Sequence, residues 1–198
     1  VGSEMCIRDR HNSVDAQNLQ TQKLNNSTAG MDNTIDIASV GGMYAGKITL
    51  VANDTDAGIK NFGNINASGS GITLASDGKL AQHGRLAAQK GSVSITAGGD
   101  IYNSQQILAG TDLQLQTKGD LLSTGTIGSE TGIINLTAAR DFTQTGSVRL
   151  EKGALNINVG SDLYQYGNIS VQQGGTLLAV QGNSGQYGTC LLYTSDAA

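Results

Sequence analysis

Three columns of apolar residues repeat along this chain with a period of about 21 residues, and this repeat constrains the fold more than any other feature. The first column is Ile59, Leu80, Ile101, Leu121, Phe142 and Leu163. The second column follows six residues later in each repeat: Ile65, Leu86, Ile107, Ile127, Val148 and Ile169. The third column starts each repeat: Ile48, Ile72, Val93, Leu113, Ile134, Leu155 and Leu177. A fixed period in this range predicts a stacked solenoid, in which each repeat contacts mainly its neighbours.

Within a repeat, apolar and polar residues alternate with a period of two, which is the pattern of a half-buried β-strand. In residues 93–109, for example, Val93, Ile95 and Ala97 are expected to point inward, whereas Ser94 and Thr96 point outward. We therefore predict an all-β chain folded as a right-handed parallel β-helix, with three short strands in each coil of about 21 residues. A left-handed helix built on hexapeptides is disfavoured, because Ile, Leu and Val do not recur every six residues around the whole coil.

The composition agrees with a rod of stacked strands. The chain has 28 glycines, which suit frequent turns, and no proline, which suits strands whose N–H groups all enter a ladder. The net charge of −4 gives no basic surface for nucleic acid, and no apolar run approaches the ~20 residues of a membrane span. We therefore expect neither a nucleic-acid partner nor a membrane span.

The two ends of the chain depart from the repeat. One short DNA element, inverted at the two ends, can encode both Glu4–Asp9 and Cys190–Ser195, and it resembles a sequencing adapter. We interpret residues 1–10 and 190–198 as adapter-derived, with ordinary disordered tails as the alternative. Because both cysteines of the chain, Cys6 and Cys190, lie in these segments, they do not indicate a disulfide or a metal site.

These boundaries leave three segments between the ends. Residues 11–31 are expected to be irregular, as the end of a preceding domain. Residues 32–182 form the predicted β-helix. Residues 183–189 are again expected to be irregular.

An acidic column precedes the second strand of each repeat: Asp100, Asp120, Asp141 and Asp162. Carboxylates spaced ~4.8 Å apart suggest a ladder for calcium or sugar. We favour a structural corner instead, in which each carboxylate accepts hydrogen bonds from local main-chain N–H groups.

A polar column is expected to face inward two residues after the first apolar column. Its amides are Asn61, Gln82, Asn103, Gln144 and Gln165, and Ser123 completes it. Buried amides need partners, and stacked amides can bond one another along the rod, so we predict an inward amide ladder. A binding role is the alternative.

Between the first apolar column and the polar column, a third column is expected to face outward, and it contains an apolar strip of Tyr102, Leu122 and Tyr164. The strip is a candidate surface for contact with a partner, a glycan or a flanking segment; ordinary scatter of apolar residues on a surface is the alternative. We identify no catalytic, cofactor-binding or metal-binding residues, because the sequence has no Cys–His pair, nucleophile elbow or phosphate-binding loop.

A family resemblance is carried by the segment Gly41 to Gly46, GGMYAG, followed by Ile48 and Leu50. This segment resembles a junction in filamentous haemagglutinin-type exoproteins of two-partner secretion. Units such as GSVSITAGGDIYNSQQILAG from Gly91 are similar to the haemagglutinin repeats of that family, and the resemblance covers residues 32–182.

The resemblance has consequences for location and partners. In that family the junction follows an amino-terminal secretion domain and opens a long β-helical shaft. The resemblance thus implies export through an outer-membrane two-partner transporter, by means of a domain outside this segment, and display on the surface of a Gram-negative cell. The class includes adhesins and contact-dependent inhibition proteins whose toxin lies at the far carboxyl end.

We therefore predict a non-enzymatic structural shaft of a secreted, cell-surface exoprotein that presents distal binding or toxin regions, with no cofactor. Receptors or glycans on host or neighbouring cells are candidate partners. The alternative is a β-helical polysaccharide lyase or hydrolase, or a carbohydrate-binding module. Such enzymes need charged groups that converge in a groove built by long loops, whereas turn lengths here are nearly constant.

Overall fold

The chain forms a parallel β-solenoid of about seven turns, as a computed structural model shows. The structure describes residues 4–8, 12–14, 21–23, 35–53 and 57–192, and no helix occurs among them. The strands are β1 (Glu4–Arg8), β2 (Asn12–Val14), β3 (Thr21–Lys23), β4 (Ile35–Ile37), β5 (Gly42–Ala52), β6 (Ile59–Asn61), β7 (Asn64–Ser76), β8 (Leu80–Gln82), β9 (Arg85–Ala88), β10 (Ser92–Ala97), β11 (Ile101–Asn103), β12 (Gln106–Ala109), β13 (Leu113–Thr117), β14 (Leu121–Ser123), β15 (Thr126–Ala138), β16 (Phe142–Gln144), β17 (Ser147–Val159), β18 (Leu163–Gln165), β19 (Asn168–Val180), β20 (Ser184–Gln186) and β21 (Thr189–Leu192).

Two parallel sheets build the wall of the solenoid. An 8-stranded sheet contains the second strand of every coil, in the order β20-β18-β16-β14-β11-β8-β6-β4. An 11-stranded sheet contains the first and third strands. Equivalent residues of successive coils lie opposite one another, so Ile101 pairs with Leu80 on one side and with Leu121 on the other. The predicted parallel stacking, with one sequence repeat in each coil, is confirmed.

The apolar columns fill the interior of the rod. All residues of the first and second columns are buried, with exposed fractions from 0% for Ile65 to 7% for Ile169. Burial of one such aliphatic side chain contributes roughly 2 kcal/mol. The few side chains that one coil buries do not offset the conformational entropy lost when all the residues of that coil are ordered. Stacking is therefore essential, because each coil covers the open side of its neighbour and adds a ladder of hydrogen bonds.

The last residue predicted for the third column is wrong. Leu155 pairs with Thr176, not with Leu177, and Leu177 is 63% exposed on the outer face. The pairing of Gly153 with Gly174 sets this register, since these two glycines form the same corner in successive coils. The inward position in the last coil is thus occupied by a threonine.

Many strands turn a corner without ending, so that the third strand of one coil continues into the first strand of the next. Three separate strands per coil, as the sequence predicted, are found around residues 85–117, where β9, β10, β12 and β13 are distinct. Four of the continuous strands have a glycine with positive φ: Gly71, Gly132, Gly153 and Gly174. Because glycine adopts such angles without steric cost, the backbone bends there and stays in the ladder.

The GGMYAG element lies at the corner that opens the first complete coil. Its residues from Gly42 onward form the start of β5, whose pairing with β7 shifts register between Ala45 and Lys47. Ala45 is buried and Met43 packs against the core, whereas Tyr44 is 65% exposed. The element therefore combines a β-bulge with an outward aromatic side chain.

The segments outside 32–182 contain strands that the sequence analysis did not expect. In residues 183–189, expected to be irregular, β20 pairs with β18 and β21 begins at Thr189. The sequence Gln186-Tyr187-Gly188 repeats Gln165-Tyr166-Gly167 one coil later, so this segment continues the solenoid.

The predicted adapter-derived ends also enter the sheets. Strand β1 pairs in parallel with β5, and Cys190 and Leu192 of β21 pair with β19. Between residues 11 and 31, β2 and β3 form a short antiparallel pair. The remaining residues of these predicted segments, and the boundary at residue 32, lie outside the described residues.

The last described coil has an open side. Leu178 occupies an inward position, yet it is 48% exposed, because none of the described residues stacks on this coil. A cavity of about 90 Å³ opens there between Phe142, Ile157 and Leu163 and the residues of the last coil. This end exposes both core side chains and an unpaired strand edge.

We expect Gly153→Ala to destabilise the rod by about 2 kcal/mol or more, because its φ is +140° and a Cβ would lie 1.7 Å from the Gly132 carbonyl oxygen. Gly175→Ala is the matched control, since a Cβ at Gly175 meets nothing within 4 Å. We expect a change within about 0.5 kcal/mol for the control. Urea unfolding of both variants checks this, and equal losses would contradict the close packing of the glycine corner.

Candidate functional site

The three columns singled out in the sequence lie on or next to the short second strands, β6, β8, β11, β14, β16, β18 and β20. Each of these strands has three residues, and its middle residue points outward while the two outer ones point inward. Because the strands pair in constant register, every column runs parallel to the rod axis. The geometry of each column follows from this spacing.

The predicted inward amides are all buried, and Asn61, Gln82 and Asn103 have no exposed surface. Among the described residues of this column, one bond joins two amides: Asn61 Nδ2 donates to Gln82 Oε1 at 3.1 Å. Asn103 Nδ2 instead donates to the hydroxyl of Ser123 at 3.2 Å. The column is therefore a mixed ladder of amides and one hydroxyl.

Most of these amides fasten the corner of their own coil. Gln82 Nε2 donates to the Gly84 carbonyl at 3.0 Å, and Gln144 and Gln165 donate in the same way to Gly146 and Gly167. The shorter asparagines use their oxygens instead: Asn61 Oδ1 accepts from the Gly63 N–H at 3.0 Å. Side-chain length thus decides whether the amide reaches the carbonyl or the N–H of the corner.

Two buried oxygens in this column have no hydrogen-bond partner. They are Gln144 Oε1 and Gln165 Oε1. An unpaired buried acceptor costs free energy, so these rungs are the weakest polar contacts of the ladder.

The four aspartates fasten each coil to the next. Each carboxylate accepts a hydrogen bond from the main-chain N–H of the equivalent residue one coil later: Asp100 from Asp120 at 3.0 Å, Asp120 from Asp141 at 3.1 Å, Asp141 from Asp162 at 3.0 Å and Asp162 from Asn183 at 2.7 Å. Main-chain bonds run the opposite way, as from the Ile101 N–H to the Asp120 carbonyl at 2.9 Å. These bonds join neighbouring coils, whereas the sequence analysis expected each carboxylate to bond the N–H groups of its own turn.

A single arginine links three coils at this corner. Arg140 Nη2 lies 2.8 Å from Asp100 Oδ1 and 2.9 Å from Asp120 Oδ2, and Lys79 Nζ lies 3.1 Å from Asp100 Oδ2. Partial burial raises the pKa of Asp100, but the Asp120 N–H and the two cations outweigh it and bring the pKa below its ordinary value of 3.8. Ion pairs as exposed as these contribute about 0–1 kcal/mol each.

The outward strip of Tyr102, Leu122 and Tyr164 is not continuous. Tyr102 pairs directly with Leu122, whereas Thr143 lies between Leu122 and Tyr164. Leu122 is 37% exposed and the two tyrosines are half-buried. The hydroxyl of Tyr164 donates to Asp162 Oδ2 at 3.1 Å, and this bond raises the pKa of the phenol.

The sequence analysis did not predict the aromatic pairs that lie beside this strip. Phe62 and His83 stack with ring centroids 4.6 Å apart, and Tyr166 and Tyr187 stack at 5.0 Å. His83 Nδ1 lies 3.0 Å from the Ser104 hydroxyl, so this histidine is a packed, half-buried residue. Each of these four aromatic residues immediately precedes a corner glycine, and this pattern in the sequence could have predicted the pairs.

The described residues contain no group of three or more His, Cys, Asp or Glu side chains arranged to hold a metal ion. The described part of the chain contains no helix that is long and apolar enough to cross a membrane. The four carboxylates of the Asp corner already accept hydrogen bonds from main-chain N–H groups.

We expect Asn103→Leu to destabilise the rod by about 2 kcal/mol, because it leaves the Ser123 hydroxyl and the Gln105 N–H without their partner. The matched control is Thr143→Leu, which introduces the same side chain on the outward face of the same sheet. We expect the control to change stability by about 0.5 kcal/mol or less. Thermal unfolding of both variants checks this, and a larger loss for Thr143→Leu would reverse the inward and outward assignments.

We expect Asp141→Asn to make the rod less sensitive to acid. The Asp162 N–H, and after it the Ser161 hydroxyl, lower the pKa of Asp141 below its ordinary value of 3.8. A depressed folded pKa contributes stability that is complete above the unfolded pKa and is lost as pH falls through the folded pKa. Asparagine keeps the acceptor oxygen without a titrating proton.

The urea midpoint of Asp141→Asn should therefore fall less than that of the wild type between about pH 6 and about pH 3. Glu151→Gln is the control, because Glu151 is an exposed carboxyl on another corner. It should lose stability in acid as the wild type does. Identical acid profiles for wild type and Asp141→Asn would contradict a role for this carboxylate in joining coils.

Curated relatives match about half of the chain. A protein named Toxin CdiA from Yersinia pestis is 37% identical over 102 residues, which is 48% of this chain. A 16S rRNA endonuclease CdiA from Enterobacter cloacae is 35% identical over 109 residues, and a tRNA nuclease CdiA from Escherichia coli is 33% identical over 97 residues. The chain spans only 3% of the length of each of these three proteins.

No protein-family model matches the chain, and no solved structure matches it. The relatives named CdiA and the parallel solenoid nevertheless agree with the resemblance carried by the GGMYAG element and the repeats. Together they confirm that the chain fits a fragment of an exoprotein of the contact-dependent inhibition and filamentous haemagglutinin type.

Proposed function

We propose that this chain is a segment of the structural shaft of a secreted, cell-surface exoprotein, and that it holds distal binding or toxin regions away from the cell. The uniform stacking of the coils carries the proposal: successive coils pair in parallel in constant register, repeat the same inward columns and have nearly the same length. A shaft needs this uniformity, because its role is to add length and stiffness with every coil.

The segment itself is proposed to have no enzymatic activity. Nuclease and toxin activities are named for the relatives, which are far longer than this chain, so we assign such activity to regions outside it. Among the described residues the turns are short, and no loop builds the wall of a catalytic groove. The carboxylates of the Asp corner are occupied by main-chain N–H groups, which argues against a catalytic pair.

Export through an outer-membrane transporter of two-partner secretion is part of the proposal, and it is supported by the names of the relatives. Contact with receptors or glycans on other cells is assigned to distal regions, with the strip of Tyr102, Leu122 and Tyr164 as the candidate contact within this segment. The exposed side chain of Leu122 supports that choice.

A coil-deletion experiment in the full-length exoprotein tests the shaft role. Deletion of residues 113–133 removes one whole coil and joins Asp112 to Ile134, which pairs with Leu113 in the intact rod. We expect surface display and delivery activity to be kept within about twofold, because the register of all later coils is unchanged. Immunodetection on intact cells and a competition assay between strains measure the two properties.

Deletion of residues 113–122 is the control, since the half-coil that remains is too short to close a turn and cannot pair along its length with both neighbouring coils. We expect it to abolish display. Loss of delivery activity with normal display in the whole-coil deletion would show a specific site in that coil and would contradict a purely structural role.

A further inference from the structure

Across the seven coils that the structure describes, one outer face of the rod carries no charged side chain. We call it the neutral face and define it as the two outward positions of each first strand, which stay in register from coil to coil. Its members are Thr49, Val51, Thr73, Ala75, Ser94, Thr96, Gln114, Gln116, Asn135, Thr137, Asn156, Asn158, Leu177 and Ala179.

Charged residues are present on both borders of this face. Asp77, Lys118 and Arg140 follow the first strands of their coils and are exposed, and Lys47 and Asp112 precede them and are exposed as well. A solvated face usually mixes lysine and glutamate among its outward positions. A neutral centre between charged borders is instead the arrangement of protein interfaces, whose centres are depleted of charge.

Amides on the neutral face already hold one another in place. Asn156 Nδ2 donates to Asn135 Oδ1 at 2.9 Å, and Gln114 Nε2 donates to Gln116 Oε1 at 3.2 Å. These bonds limit the rotamers of the four side chains before any partner binds, which lowers the entropy lost on association. Each amide keeps further donors and acceptors for a partner.

The spacing of the face identifies its partner. Rungs recur every ~4.8 Å along the axis, so a partner that meets every rung must have the same period. Another parallel β-solenoid has this period, and a second copy also has the same uncharged face. We infer that two copies of this chain pair side by side through their neutral faces.

Charge and area both support this pairing. The chain has a net charge of −4, so two copies repel weakly through most surfaces but not through a face without charge. A five-residue strand is about 17 Å wide and seven rungs are about 34 Å long, so a pair would bury about 1,100 Å² in total. That area is just above the ~1,000 Å² expected of a specific interface, and it grows with every added coil.

The pairing is independent of the shaft role, and it adds an adhesive surface to the rod. In longer rods it would strengthen with length, because each pair of coils contributes a similar small contact within one multivalent complex. Copies on one cell would bundle, and copies on facing cells would hold those cells together.

Sedimentation velocity of the whole chain over a range of concentrations tests the inference. We expect the wild type to form a dimer whose frictional ratio is lower than that of an end-to-end pair. The double variant Thr96→Glu and Asn158→Glu places two carboxylates on exposed positions of the face. It should weaken dimerisation about tenfold or more, because the added charges oppose one another across the interface.

The matched control is the double variant Thr145→Glu and Gln172→Glu, which adds the same charge at exposed positions elsewhere on the rod. It should dimerise as the wild type does. Circular dichroism and urea midpoints confirm that both variants are folded. The dimerisation constant of the wild type should also change less than about twofold between low and high salt, since no ion pairs cross the interface.

Two results would overturn the inference. A wild type that stays monomeric at every concentration tested would show that the face does not pair. Equal association of wild type, face variant and control would assign the contact to the open ends of the solenoid, as would an elongated dimer with a high frictional ratio.

Discussion

Hydrogen bonds between equivalent residues of neighbouring coils hold this rod together, and the rest of the structure keeps those residues opposite one another. The main-chain ladders provide most of these bonds, and the Asp corner adds a second set in which each carboxylate accepts from the N–H one coil later. A change in the length of a single coil would break both sets at once. This explains why the coils keep nearly the same length from Ile72 to the end of the solenoid.

The corners show how side-chain length is matched to that spacing. An aspartate at the Asp corner, before the second strand, accepts a hydrogen bond from the next coil. A glutamine inside the second strand donates instead to the carbonyl of the corner glycine in its own coil. Glycine fills that corner in all the coils from Gly63 to Gly188 except the one with Gln105, because the coils pass so closely: a Cβ at Gly146 would lie 1.9 Å from the Gly125 carbonyl oxygen. Small residues at the corners and polar residues inside the strands therefore serve one purpose, which is to fix the register.

Much of this arrangement could be predicted from the sequence, because period and alternation specify which residues face inward. The columns that contain Ile101 and Ile107 are examples. The partners of polar groups were harder to predict, since an aspartate at a corner looks the same whether it closes its own turn or joins the next coil. The position of Leu177 was predicted wrongly because apolar character was given more weight than the register of the corner glycines. The segment 183–189 was not predicted as solenoid because Ser184 stands there in place of the aliphatic residue of the first apolar column.

The open side of the last coil has a consequence for how such rods behave as they lengthen. Among the described residues, core side chains such as Leu178 are uncovered at that end, and each added coil covers the previous one while uncovering its own. The uncovered apolar area is therefore constant while the buried area grows in proportion to the number of coils. A much longer rod of the same design therefore has no more tendency to aggregate through its ends than a short one.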